Sequence, residues 1–276
     1  MRERLPARPG YLRPDRLSRG LIAPAIAAAA GLRARLQTYL EKFVRLDGAA
    51  QSRLLAGQPV TKLLEGDPAK EVSVFGAVWV DAPVSRYLTA VRDIERFEAG
   101  DAFRVTKKIS SPPRHEDFVQ LEVPEDDFQD LRSCKVSECE LKLSQASIER
   151  IRREVQWTRP DARQQVDRLA RQAAFEYVTG YLEGGNARLA VYRDSDRPTF
   201  VAQEFASMID RLPALTEILP DLRRYLLEFP RATLPNSESF LYWQEAKFGL
   251  KPTIRINHFT NVQQPTHLAV TSKMPY

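Results

Sequence analysis

Val72-Ser-Val-Phe-Gly-Ala-Val-Trp-Val80 is the stretch that decides the fold reading. Its β-branched and aromatic residues alternate with small ones, as in a strand. Val74, Gly76, Val78 and Val80 then face one way, and Ser73, Phe75, Ala77 and Trp79 the other. Both faces carry apolar side chains, so the strand is either covered on both sides or lines a cavity. Phe75 and Trp79 share a face and are candidates for ligand contact. Asp81-Ala-Pro83 follows directly, and a capping acid with an early proline opens a helix. Val84, Tyr87, Leu88, Val91 and Ile94 fall on one face of that helix.

Working outward, residues 102–109 predict a second strand, broken by Ser110-Ser-Pro-Pro113, with weaker strand signals over 118–123 and 136–143. The middle is helical. Ser144 caps a helix presenting Ile148, Ile151 and Val155. Asp161 opens a longer one, lined by Val166, Leu169, Ala173, Tyr177 and Tyr181 and ended by Gly184-Gly185. Leu189–Tyr192 predicts a short strand, and residues 200–212 and 220–229 predict helices. Ser239–Phe248 predicts a late helix closed by Gly249 and Pro252. Its Tyr242 and Trp243 are either core or ligand contacts. Residues 253–260 and 267–274 predict two strands about the turn Gln263-Gln-Pro265. On the N-terminal side, Leu32, Leu36, Tyr39, Leu40 and Phe43 form a helical stripe, and Gly48, Gly57 and Pro59 mark turns. No repeat and no Gly/Ser linker divides the chain. The prediction is α+β: one domain over 32–276, with a curved antiparallel sheet packed with a helical middle section.

Composition sets the outer bounds. The chain has 276 residues, 43% hydrophobic and 28% charged, which excludes collagen-like and wholly disordered classes. No apolar run approaches the ~18 residues of a membrane span. Residues 1–35 hold eight Arg against Glu3 and Asp15, a net of +6, which leaves −1 for residues 36–276 out of the total of +5. The basic excess belongs to the N-terminal arm, whereas a nucleic-acid binder carries it on the folded body, so no nucleic-acid partner is expected. Residues 21–31, uncharged after a basic stretch and containing Ala28-Ala-Ala30, fit a secretory signal, with the mature chain beginning near Gly31 and a periplasmic or otherwise exported location. The alternatives are a flexible basic arm on a cytoplasmic protein and an over-extended start.

Few residues carry recognisable chemistry. Cys134 and Cys139 are the only cysteines, too few for a four-ligand zinc site and too widely spaced for C-x-x-C. In an oxidising compartment such a close pair forms a disulfide pinning Lys135-Val-Ser-Glu138. Arg114-His115-Glu116-Asp117 is the densest ionisable cluster. His115, Glu116 and Asp117 are either an acid–base set or a solvated turn capped by Asp117. His258 and His267 lie on the last two strands, and a turn centred near 262–263 places them opposite each other as metal-ligand candidates. Gly-x-Ser-x-Gly, phosphate loops and His-Glu-x-x-His are absent, and no cofactor is implied.

Several stretches together resemble a group of uncharacterised, often exported bacterial proteins. They are Gly57-Gln-Pro-Val60 with Lys62-Leu63-Leu64; Val74–Val80 with Arg92-Asp93-Ile94; Pro112-Pro-Arg114 with Glu116-Asp117; and Leu131-Arg132 with Cys134, Cys139 and Lys142-Leu143. Tyr181-Leu182 with Gly184-Gly185 and Phe240-Leu-Tyr-Trp243 with Phe248–Pro252 complete the set. The resemblance covers residue 50 onward. It implies no activity and favours export. Members continue past the equivalent of Tyr276 with strand-like sequence, which implies a truncated copy here. At the level of fold, strand 72–80 running into a helix is similar to the opening of START-like helix-grip domains, which enclose an apolar cavity. The expected function is an exported, non-enzymatic protein binding an apolar or lipid-like ligand. The alternatives are a hydrolase-like enzyme using His115, Glu116 and Asp117 or the late histidines, and a structural envelope protein. Nothing in the sequence sets the oligomeric state.

Overall fold

The computed structural model describes residues 34, 36–66, 73–247, 251–264 and 268–273. The signal-like segment, His267, Phe248 and Gly249 lie outside the described residues. The chain divides into two compact units, one ending at Val80 and the other beginning at Asp81. Both are built from helices and antiparallel strands, as the α+β reading predicts.

In the first unit, α1 (residues 36–44, π-helical over Leu40–Val44) is followed by α2 (Gly48–Leu55). The sequence reading misses α2. Its signal is Asp47, whose side chain accepts from the Ala50 amide at 2.7 Å as an N-cap. β1 (Val60–Leu63) pairs antiparallel with β2 (Val74–Ala77). Leu40, Val44, Leu46, Ala50, Leu54 and Val60 form the core, with Phe75 half-buried against them. The expected strand 72–80 is therefore shorter. Its partner is four residues long, and beyond Ala77 the chain has no described strand to pair with. Trp79 lies past the strand end and is 48% exposed, while Phe75 is half-buried against the core of this unit.

The second unit is built on a four-stranded antiparallel sheet of order β3-β6-β7-β8 (Phe103–Lys108, Ser237–Ala246, Thr253–Gln263, Leu268–Lys273). α3 (Val84–Arg92) and α4 (Ile94–Phe97) bury Val91 and Ile94 with Tyr242 and Phe259, on one face. The other face packs Leu241, Trp243 and Ile256 with Val178 and Tyr181 of the long α7 (Ala162–Gly184). Ser144 caps α6 (Gln145–Glu154) as expected, accepting from the Ser147 amide at 3.1 Å. α5 (Glu125–Leu131) precedes it. The hairpin β4 (Val191–Tyr192) and β5 (Thr199–Phe200) follows α7, and then come α8 (Val201–Asp210), α9 (Pro213–Ile218) and α10 (Pro220–Glu228).

Three local expectations are corrected. Ser239–Phe248 is not a helix: Ser237–Ala246 is β6, paired on both edges and buried on both faces over Leu241–Ala246. A strand covered on both sides loses the polar alternation that separates it from a buried helix. Tyr242 and Trp243 are core residues on opposite faces of this strand. Residues 118–123 are not a strand. Their backbone is satisfied by α7 side chains, with Asp167 accepting from the Val123 amide at 2.9 Å and Arg171 donating to Leu121 O at 2.8 Å. Residues 136–143 form a pinned loop. Cys134 and Cys139 are placed as a disulfide with Cα atoms 4.5 Å apart. The enclosed turn donates from Ser137 N to Arg193 O and from Cys139 N to Asp194 O.

Candidate functional site

His115, Glu116 and Asp117 do not converge as an acid–base set. They open a 3₁₀ turn, His115–Phe118. His115 is exposed and stacked on Phe175, ring centroids 3.9 Å apart, and Glu116 is exposed. Asp117 holds the turn closed: one carboxylate oxygen accepts from Ser110 Oγ at 2.7 Å, Arg114 N at 2.8 Å and Ser110 N at 3.2 Å. These bonds identify a capping residue. Asp117→Ala is expected to cost about 1–2 kcal/mol, as for other caps and multiply bonded carboxylates. Urea denaturation checks this, and a change under about 0.5 kcal/mol would show the bonds to be idle.

The late histidines are also placed differently. In the β7–β8 register Gln263 pairs with Leu268, so His258 stands opposite Lys273, not His267. The turn is centred about three residues later than the sequence reading places it. Among the described residues no group of three or more His, Cys, Asp or Glu is arranged to hold a metal.

The correct register assembles a different cluster. His258, 5% exposed, is held between two hydroxyls: Tyr181 Oη lies 2.8 Å from Nδ1 and Tyr225 Oη 3.4 Å from Nε2. A neutral imidazole has one N–H, so it donates to one tyrosine and accepts from the other. Burial, and then the charge on Lys273, lower the His258 pKa to about 4. Burial raises that of Tyr181, keeping the phenol protonated.

Lys273 completes the cluster. It is 7% exposed, and its ammonium donates to Asn186 Oδ1. It lies 4.4 Å from the centre of the Phe205 ring and 5.0 Å from that of Tyr181. No carboxylate among the described residues pairs with it, and burial lowers its pKa to about 7. Lysine is seldom this buried without an acidic partner.

The surrounding chain explains how these groups meet. Tyr181 and Val178 are three apart on α7 and both face the sheet. Gly185 ends the helix at φ +58°, and a Cβ there would fall 1.7 Å from Phe229 O, so only glycine admits that close approach. Phe229 thereby stacks on Tyr181 with centroids 5.0 Å apart, and meets His258 at 4.7 Å. Asn186 donates to Leu226 O and Leu227 O, the free carbonyls at the end of α10, which turns its own oxygen toward Lys273.

The opposite face of the sheet offers a contrast. Gln244 is fully buried yet fully used. Its oxygen accepts from Arg255 and Asn257, and its nitrogen donates to Glu98 and to Thr106 Oγ1. That network ties the end of α4 to the sheet and leaves no group idle. A surface cleft of about 580 Å³ nearby is lined by charged residues including Glu95, Arg104 and Lys247 together with Phe103 and Pro252, and shares no residue with the His258–Lys273 cluster.

No family model, curated protein or solved structure matches this chain. The functional reading therefore rests on the site's own chemistry. Among the described residues no helix is long and apolar enough to cross a membrane.

Sequence reasoning singled out His258 and counted Tyr181 as a helix-face residue. It missed Tyr225, Asn186 and Lys273. The signal for Lys273 was the hairpin register alone: a turn three residues later would have set a lysine, not a histidine, opposite His258.

Proposed function

We propose that the unit beginning at Asp81 binds a small apolar molecule ending in a carboxylate, with Lys273 as counter-ion to that headgroup. The observation that carries the reading is the buried amine, set among aromatic rings with no acidic partner among the described residues. An isolated buried cation costs several kcal/mol unless it loses its proton or gains an anion. A ligand carboxylate supplies the anion. Phe205, Phe229 and Tyr181 supply an apolar wall for its chain. The reading keeps the apolar-ligand expectation but moves it away from Phe75, Trp79, Tyr242 and Trp243. The Cys134–Cys139 pair supports an exported location, since such bonds persist in oxidising compartments.

Calorimetric titration with decanoate and with decanol tests the proposal. Wild type is expected to bind decanoate, and Lys273→Met to weaken it by at least about tenfold, the worth of one charge-assisted hydrogen bond. Decanol, which lacks the charge, should bind both proteins alike. Equal decanoate affinity in the two proteins would sink the idea.

A further inference from the structure

We infer that Lys273 is also a reactive amine, which condenses with an apolar aldehyde entering the same site to form a covalent imine. The inference rests on the apolar reading of that site and adds a covalent chemistry to it. Three features of the geometry support it.

Among the described residues the nitrogen is engaged by no carboxylate, and it donates to the neutral amide oxygen of Asn186. The amine is buried, which disfavours its charge and favours the free base, an effect that outweighs the attraction of the Phe205 and Tyr181 ring faces for the cation. A hydrogen-bonded chain for proton transfer, Tyr181–His258–Tyr225, runs beside it. His258 is the cross-strand neighbour of Lys273, and the ring of Tyr181 lies against its ammonium.

The titratable groups facing the amine are His258 from β7, Tyr181 from α7 and Tyr225 from α10. The 3₁₀ turn after α7 presents Asn186, and α8 presents Phe205. Burial holds His258 uncharged at neutral pH and Tyr181 protonated. Neither therefore sets a charge beside the amine, and a proton moves between them only along the hydrogen bond that joins them.

The step balances without a co-reactant. The Nζ lone pair attacks the carbonyl carbon, a C–N bond forms, and the carbonyl π electrons move to oxygen, which takes a proton from the chain. The nitrogen returns a proton to the chain. The C–O bond then breaks as the oxygen takes a second proton from the chain and leaves as water, the nitrogen lone pair closes the C=N bond, and the remaining N–H proton passes back to the chain. Amine and aldehyde give imine and one water, with nothing oxidised or reduced.

The test incubates the full chain with decanal and sodium cyanoborohydride at neutral pH and maps the reduced adducts by mass spectrometry of peptides. Lys273 is expected to acquire its decyl group about tenfold faster than Lys251, whose ammonium is held charged by Asp127 and Asp130. Decanoate should slow labelling at Lys273 alone. Lys273→Arg keeps the charge and the stem but cannot condense, and should leave only the slow surface labelling. Lys273 labelled no faster than Lys251 overturns the inference. Decanoate binding without labelling overturns the imine and leaves the acid-binding reading standing. Fast labelling that decanoate does not slow supports the imine and overturns the acid site.

Discussion

Trp243→Ala is expected to cost about 4–5 kcal/mol, the upper part of the range for a buried aromatic truncated to alanine. Trp243 is 1% exposed in the middle of β6 and packs with Phe118, Leu121, Val178 and Ile256. The indole also does polar work, with Nε1–H donating to Asp117 O at 2.8 Å. Truncation therefore opens a cavity between sheet and α7 and leaves a part-buried carbonyl unpaired. Trp243→Phe separates the two effects. It restores most of the volume but not the donor, and should recover all but about 1–2 kcal/mol. Urea denaturation followed by far-UV circular dichroism reads both variants. A Trp243→Ala protein within about 1 kcal/mol of wild type would mean that this residue is not central to the core.

The second large effect concerns pH. The folded-state pKa of Lys273 is lowered to about 7 from 10.5, and that of His258 to about 4 from 6.5. In both intervals the unfolded chain binds more protons than the folded one, so stability rises with pH. Descending from pH 10.5 to 7, the folded protein is expected to lose up to about 5 kcal/mol through Lys273. From pH 6.5 to 4 it loses up to about 3 kcal/mol more through His258. Lys273→Met replaces the buried ammonium with an apolar side chain of similar length and leaves Asn186 Oδ1 without its donor. Near pH 7 the variant should gain about 2 kcal/mol net, the relief of a buried cation less one lost hydrogen bond. By pH 10.5, where the folded-state amine is neutral and the unfolded one half-protonated, the difference should have moved by about 4 kcal/mol toward wild type, reversing the order. The difference between the two stability curves isolates Lys273 from the other groups that titrate in alkali. A constant difference from pH 6 to 10.5 would contradict a lysine buried as described.

How much of this was legible in the sequence depended on how each element is covered. α7 was readable from Asp161 to Gly184-Gly185 because its exposed face keeps the helical period visible and its end needs glycine. α6 was readable from the Ser144 cap. β7 and β8 were readable as strands, but their register was not. It is fixed by a turn whose position nothing local declares, and the shift exchanged His267 for Lys273 as the neighbour of His258. β6 was misread because burial on both faces erased its alternation. The site fared worse than the fold for a related reason. Tyr181, Asn186, Tyr225, His258 and Lys273 span almost a hundred residues and come from five elements, each presenting one unremarkable side chain. The isolated triple His115, Glu116 and Asp117 drew attention by adjacency, and the structure uses its aspartate to close a turn.

Among the described residues β8 is an edge of the four-stranded sheet, paired through six residues with β7, while β6 is paired on both sides. An edge strand can peel away in a partial opening that costs much less than global unfolding. Lys273 is carried on that strand, so detaching it uncovers the amine while Tyr181, His258 and Tyr225 stay on the elements that remain. On the proposed reading, the margin of the sheet would serve as the doorway. How often it swings open would set the rate at which a small molecule arrives, leaving the amine to decide only how tightly the visitor is kept. Backbone amide exchange would register the same motion, with β8 trading its protons for deuterium well ahead of β6.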